Sequence, residues 1–260
     1  MSAEKSEAIV LRIVEFSETS VIATLMTRDF GKITAMAKGA RRRKSPFESA
    51  LDLLAICRIV FLHKSSGAMD LLTEAKLERR FRSSSSSLDR LYAGYYVAEL
   101  MRCLTDEHDP HPRAYELARS TLLALDAEAE LVSTLFEFEV GLLTCLGHQP
   151  VFTKCAGCGR AKSENIRVSF GLNEGGVLCQ KCRAGKQNIV SLSPEAWTCF
   201  HELNEFTARR LNETDGHSPT NGGWSRENQP VGEVRRVLNQ YITHLLGFKP
   251  RLHPYITAIK

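Results

Sequence analysis

Four cysteines carry the plainest chemistry in this sequence. Cys155 and Cys158, then Cys179 and Cys182, form two C-x2-C pairs twenty residues apart in CAGCGRAKSENIRVSFGLNEGGVLCQKC. Each C-x2-C turn brings two thiolates to one metal, and two such turns close the tetrahedron that zinc takes in structural sites. Gly157, Gly159, Gly175 and Gly176 suit the tight turns that aim backbone amides at sulfur. Four thiolates leave no position for water, so such a site is structural and not catalytic. Two disulfides, a redox pair or an iron–sulfur cluster would use the same residue type. A redox pair needs only one of the two turns, whereas a cluster is chemically possible. Spacing and ligand type favour one structural Zn2+. Lys154, Arg160, Lys162, Arg167, Lys181, Arg183 and Lys186 surround the pairs. These cations favour thiolate formation; they are equally suited to touching phosphate or to decorating a solvated surface.

A second concentration of chemistry lies upstream. AKGARRRKSPF places Lys38, Arg41, Arg42, Arg43 and Lys44 in one short run, with Gly39 and Ser45–Pro46 marking it as a loop. Cations held this close repel one another unless an anion compensates them, and a nucleic-acid backbone is the usual compensating partner. Arg79, Arg80 and Arg82 form a second cluster. A solvated charge run is the bland alternative for both.

Catalytic patterns are missing. The sequence contains no G-x4-G-K-[ST], no G-x-G-x-x-G and no G-x-S-x-G. The H-x-E and P-C-x-x-C elements of zinc deaminases are also absent. His108 and His111 flank a proline-containing break, and spacing alone pairs neither with a carboxylate. The expectation is a binding protein, not an enzyme, with no small-molecule substrate.

The elements that must position these residues change character along the chain. From residue 6 to about 80, EAIVLRIVEF, SVIATLM, GKITAMAKGA, LDLLAICRIVFL and MDLLTEAKL read as five short strands separated by polar and glycine-bearing breaks. They suit a small closed or sandwich-like sheet, with an OB-type barrel and an SH3-like barrel both compatible. SSSSS at 83–87 reads as a linker that also caps the next element. Helical spacing follows, with Leu88, Leu91, Tyr92, Tyr95, Tyr96, Leu100, Cys103 and Leu104 at three- and four-residue steps. Tyr92, Tyr95 and Tyr96 read as core before they read as a base-stacking platform. Asp109–Pro110 and Pro112 break the pattern; AYELARSTLLALD and ELVSTLFEFEVGLLTCLG continue it to Gly147. Ser193 and Pro194 open a further helix through SLSPEAWTCFHELNEFTARRL, and VGEVRRVLNQYITHLLGF forms the last. NETDGHSPTNGGWSRENQP, residues 212–230, reads as a mobile or inserted loop.

Bulk properties set the outer limits. The 260 residues are 43% hydrophobic and 25% charged, ordinary for a soluble globular protein. No apolar run suits a bilayer and the charged start lacks the form of a signal peptide, so a cytoplasmic protein without membrane contact is expected. Cys57, Cys103, Cys145 and Cys199 stand singly among apolar residues and read as free core cysteines. The formal charge of +4 is uneven: +5 over residues 1–82, −7 over 83–153 and +5 over 154–186. Such asymmetry separates the surfaces available to partners.

Together these features resemble the RecO family of bacterial recombination mediators. The resemblance covers nearly the whole chain. It rests on EAIVLRIVEFSETSVIATLMTRDFGKITAMAKGARRRKS, LYAGYYVAEL, FEFEVGLLTCLGHQPVFTKCAGCG and HLLGFKPRL. The opening weighs most, because it joins the first strand, the Phe30–Gly31 turn and the basic loop in order. The segment 212–230 has no counterpart. The resemblance implies an α+β multidomain protein: an OB-fold DNA-binding domain over 1–82, a helical domain over 83–153 and 190–260, and an inserted zinc knuckle over 154–189. It implies binding of single- and double-stranded DNA, and annealing of complementary single strands. It also implies joint action with RecR and with the acidic tail of single-stranded-DNA-binding protein, to help load RecA in recombinational repair, near the nucleoid. By position, Lys38, Arg41, Arg42, Arg43 and Lys44 would contact DNA, with Arg12 and Lys32 as weaker candidates. A zinc-containing RNA- or ribosome-binding module is the competing expectation.

Overall fold

A computed structural model describes residues 2–42, 45–47, 50–64, 69–83, 87–161, 168–212 and 230–257. The chain divides into two compact units, 1–131 and 132–260.

The first unit begins with five strands: β1 (Ser2–Glu15), β2 (Val21–Thr27), β3 (Gly31–Ala37), β4 (Ile56–His63) and β5 (Asp70–Arg79). They close in the order β1-β2-β3-β5-β4, every pairing antiparallel except the short parallel contact of β3 with β5. β1 can serve both β2 and β4 because it is long and carries an irregularity between Val10 and Arg12, where the strand bends. Alternation along β3 sends Ile33, Ala35 and Ala37 inward, to meet Val10, Leu25, Phe61 and Leu72 in one core. At the β2–β3 turn the Thr27 hydroxyl accepts from Phe30 N–H and donates to the Gly31 carbonyl. Gly31 has φ +71°, and a side chain there would collide with the backbone of Asp109.

The fourth strand starts later than the apolar run LDLLAICRIVFL suggests. Residues 51–55 form a turn in which Leu54 has φ 66° and hydrogen-bonds back to Val10. Leu54, Ala55, Ala50 and Phe47 are all buried. A continuous apolar run does not distinguish a strand from a buried plug.

Helices α1 (Leu88–Leu104) and α2 (Pro112–Asp126) belong to the same unit. Ser87 caps α1 by accepting from Arg90 N–H at 3.4 Å. Arg90 reaches across to the carbonyls of Leu125, in the last turn of α2, and of Ala129, just beyond it. Tyr96 is buried, while Tyr92 and Tyr95 are half-buried, so the tyrosine stripe is core at its centre.

The second unit comprises α3 (Leu131–Cys145), a three-stranded antiparallel sheet, and α5 (Pro194–Asn212), α6 (Val231–Leu246) and α7 (His253–Thr257). The sheet has the order β7-β6-β8, from β6 (Val168–Gly171), β7 (Gly176–Leu178) and β8 (Ile189–Leu192). Its strands β6 and β7 lie between the two cysteine pairs and β8 follows them, while α7 follows Pro250; the sequence pattern indicates neither the sheet nor α7. Phe152 joins the sheet to α5, with ring centroids 5.6 Å from Phe170 and 4.5 Å from Phe200. Ser193 caps α5 through its bond from Ala196 N–H and also donates to Glu233. Gly247, at φ 73°, stops α6. Residues 213–229 of the polar segment lie outside the described residues. Among the described residues, no helix is long and apolar enough to cross a membrane.

Candidate metal centre and nucleic-acid interface

Two turns build the metal centre. The first holds Cys155 and Cys158 in a loop closed by Cys155 N–H to the Arg160 carbonyl and by Gly159 N–H back to the Cys155 carbonyl. The second holds Cys179 and Cys182 where β7 runs into the short helix α4 (Gln180–Arg183). Ala156 N–H bonds to the Val177 carbonyl and Cys179 N–H bonds to Cys155 Sγ at 3.3 Å, so backbone bonds fix one turn against the other. Gly157 sits so near Cys182 that an added Cβ would lie 3.2 Å from its sulfur.

All four Sγ atoms lie within 4.8 Å of one another. Cys158 and Cys179 are 3.8 Å apart at sulfur. A disulfide needs about 2.05 Å. A tetrahedron with metal–sulfur bonds near 2.3 Å has edges of about 3.8 Å. None of the eight cysteines forms a disulfide. Burial opposes ionisation of the Cys155 thiol. The N–H groups of Cys179, Cys158 and Gly157 and the Cys158 thiol outweigh it, bringing Cys155 down to about 6. The Cys179 thiol is lowered as well, chiefly by Cys182 N–H. Cys182 is pushed up to about 12, because it shares its proton with the sulfurs of Cys179, Cys158 and Cys155. Four sulfurs this close cannot all ionise without a cation among them. The site therefore fits one metal ion held by four thiolates. Lys154, Arg160, Lys181, Arg183 and Lys186 are exposed around it, with Lys186 paired to Glu174 and Arg183 bonded to the Ser169 hydroxyl. Lys162 and Arg167 lie outside the described residues.

The basic loop leaves β3 through Lys38 and turns at Gly39, which has φ +74° and whose carbonyl accepts from Arg42 N–H. Arg41 N–H bonds to the Thr19 carbonyl, and Arg41 Nη1 meets Glu15 Oε2 at 2.9 Å. The loop is thereby fastened to the β1–β2 turn. Farther on, the buried Phe47 anchors it in the barrel core. Lys38, Arg41 and Arg42 are exposed; Arg43 and Lys44 lie outside the described residues. Arg12 and Val14 point outward from β1, and Phe16, 59% exposed, stands at the start of the turn that Arg41 grips. The sequence reading passed over Phe16. Its signal is weak: an aromatic residue beyond the last outward positions of a strand.

Lys32, the weaker candidate on β3, makes contacts within the first unit. Its ammonium donates to the carbonyls of Arg102 and Thr105, ending α1, the former at 2.7 Å. Burial lowers its pKa. These bonds tie β3 to the end of α1. The second arginine cluster is partly neutralised. Arg79 lies 3.7 Å from Asp126 and Arg80 3.8 Å from Asp52, while Arg82 N–H bonds to Asp126. His108 and His111 do meet carboxylates: His108 approaches Asp70, and His111 bonds Asp109 at 2.9 Å. The Asp70 contact joins residues 38 positions apart, which local spacing cannot reveal.

Two family models match, Recombination protein O N terminal over residues 1–81 and Recombination protein O C terminal over residues 85–253. The chain is 40% identical to the DNA repair protein RecO of Rhodopirellula baltica, over 96% of this chain and 97% of that one. It is 33% identical to the protein of the same name from Anaeromyxobacter dehalogenans strain 2CP-1 (95% and 93% covered) and 34% identical to that of Myxococcus xanthus (95% and 94%). With both halves matched and the barrel, helices and four-cysteine centre in sequence, the chain belongs to the Recombination protein O family, RecO.

Proposed function

We propose that this chain is a DNA-binding recombination mediator, without catalytic turnover, that serves recombinational repair. One observation carries the reading. A basic loop is fastened to the β1–β2 turn of a closed five-stranded barrel, beside an exposed Phe16. We read the barrel as OB-type, in which the face of strands 2–3 and the β1–β2 loop bind oligonucleotides, and the basic loop is fastened to that β1–β2 turn. Cations that track phosphates and an aromatic face for bases together suit a single strand. The proposed contacts are Lys38, Arg41, Arg42, Arg43, Lys44 and Arg12.

Annealing follows from charge. Two complementary strands repel until their phosphates are neutralised, and a basic surface does this while releasing counterions. No bond in DNA is made or broken. The four cysteines would hold one Zn2+ that fixes the loop-rich segment between Phe152 and β8, with no open position for chemistry. In the cell we place the protein in the cytoplasm, near the nucleoid. There it would act with RecR and single-stranded-DNA-binding protein ahead of RecA.

The test is annealing of complementary oligonucleotides, bare and coated with single-stranded-DNA-binding protein, together with binding across a salt series. Six phosphate contacts on a single strand give a slope of about −4.2 in log K against log salt. The doubly reversed variant Arg41→Glu/Arg42→Glu should lose about 1.4 or more of that slope and keep its melting temperature. Unchanged affinity removes the loop from the interface. Preferential binding of RNA over DNA of the same sequence overturns the repair reading in favour of an RNA-binding module.

A further inference from the structure

The barrel carries a constellation that annealing does not use. His63 ends β4, Asp70 begins β5, and His108 sits in the connection between α1 and α2. One ligand atom from each lies within 4.8 Å of the other two. His63 Nδ1 is 3.1 Å from Asp70 Oδ1, and His108 Nε2 is 3.8 Å from Asp70 Oδ2. We propose that His63, Asp70 and His108 form a second metal site, taking one divalent ion of the zinc type, which clips the α1–α2 connection to the barrel.

The Asp70 side chain is only 2% exposed. Its Oδ1 is satisfied by Lys64 N–H at 3.0 Å and by His63. Its Oδ2 is buried, faces His108 and has no hydrogen-bond partner among the described residues. A buried carboxylate oxygen left bare loses the solvation it had in water, and that penalty is what a bound cation removes. The two imidazoles meet edge to face at 4.9 Å. As two imidazolium ions they would repel at that distance; as neutral rings each offers a lone pair to one metal.

The spacing agrees with the chemistry. Bonds of 2.0–2.1 Å to nitrogen and oxygen give tetrahedral edges of about 3.3 Å. The observed separations bracket that value, so small side-chain shifts bring three donors onto one ion. Two imidazoles and one carboxylate suit zinc and its first-row neighbours, and do not suit the oxygen-seeking calcium or magnesium. Both histidine side chains are about 40% exposed (42% and 43%), which gives an ion a way in and leaves the outer position to water.

Backbone structure holds the donors before any ion arrives. Asp70 pairs with Ala35 of β3, and His63 with Ser2 of β1. His108 takes a left-handed φ of 58°, unusual for a residue with a side chain, and its N–H bonds to the Lys32 carbonyl at 2.9 Å. Lys32 itself grips the end of α1. The ion would thus add a third tie at a place where β3 and the α1–α2 connection already meet.

Cobalt(II) titration of the intact, metal-stripped chain separates this site from the four-cysteine centre. Thiolate ligands give intense charge-transfer absorption in the near ultraviolet, whereas nitrogen and oxygen ligands give only weak visible bands. The expected result is two equivalents per chain, one of each signature. His108→Gln and, separately, Asp70→Asn should each lose the weak-band equivalent and keep the thiolate one. Retention of the thiolate bands also shows that the variants remain folded in that region; far-ultraviolet circular dichroism checks the barrel. A parent chain that takes up a single equivalent with thiolate bands alone overturns the proposal, whatever the variants do. Two equivalents that persist in both variants overturn it equally.

Discussion

Arg235 donates from one Nη1 to both carboxylate oxygens of Glu139, at 2.6 and 2.7 Å, in the interior of the second unit. Its guanidinium also lies 4.0 Å from the centre of the Phe136 ring. Glu139 is fully buried and Arg235 nearly so. Removing one member of such a pair strands the other charge. Arg235→Met should destabilise the protein by about 3–5 kcal/mol in urea unfolding. The double variant Glu139→Leu/Arg235→Met should recover much of that loss. A single variant that unfolds at the parent midpoint would falsify a structural role for the pair.

Gly31→Ala should cost more than about 1 kcal/mol, through its left-handed backbone and the approach of Asp109. The added methyl would push the α1–α2 connection away from the β2–β3 turn. Thermal melting of the variant checks this, and an unchanged midpoint would contradict the tight packing there.

Lys32 and Arg41 should behave in opposite ways. Lys32→Met removes the ammonium that caps α1, so it should lower the melting temperature and leave single-strand affinity intact for the folded fraction. Arg41→Glu should leave the melting temperature nearly unchanged, because its exposed pairing with Glu15 is worth at most about 1 kcal/mol. Its single-strand affinity should fall several-fold. Fluorescence anisotropy and melting curves on the two variants decide the matter.

Stripping metal from the four-cysteine centre should loosen the second unit locally. Cys158→Ser or a strong chelator should make residues 155–182 sensitive to protease, since few hydrogen bonds other than those around the sulfurs fix the first turn. Mass spectrometry of early cleavage products reads this out. Cleavage elsewhere first would mean that the sheet holds the segment without a metal.

Acid should weaken the second unit through His253. Burial, with Lys249 and Arg235 nearby, pushes its pKa down to about 4. The unfolded imidazole takes its proton near pH 6.5, while the folded one resists. This contribution to stability is therefore whole above pH 6.5 and is lost as pH falls from there towards 4. His253→Gln should show a smaller drop in urea midpoint between pH 7 and pH 5 than the parent. Equal drops would place the acid sensitivity on other groups.

Much of the molecule is legible from pattern alone. Short Val-, Ile-, Leu- and Thr-rich runs between polar and glycine breaks expose β2 and β3, helical spacing exposes α1 and α3, and Ser193–Pro194 marks the start of α5. The strand β4 is misjudged at its beginning, since Leu54 and Ala55 are as apolar as any strand residue but are buried in a turn. The cysteine spacing reveals the four-sulfur cluster that could hold a metal, because both pairs are local. The roles of Lys32, Asp70 and His108 are not local: each depends on a partner dozens of positions away, on another element. Charge clusters show that cations are present, but not that Asp126 and Asp52 stand beside Arg79 and Arg80.

The contact between Glu15 and Arg41 bears on how a strand leaves. Glu15 is an internal rival for the same guanidinium that a phosphate would seek. If the loop binds a strand as proposed, an arriving phosphate would have to displace Glu15, and Glu15 would return to Arg41 as the strand leaves. Such a rival would shorten the residence of nucleic acid without abolishing capture. A mediator of the proposed kind would be served by a grip that lets go.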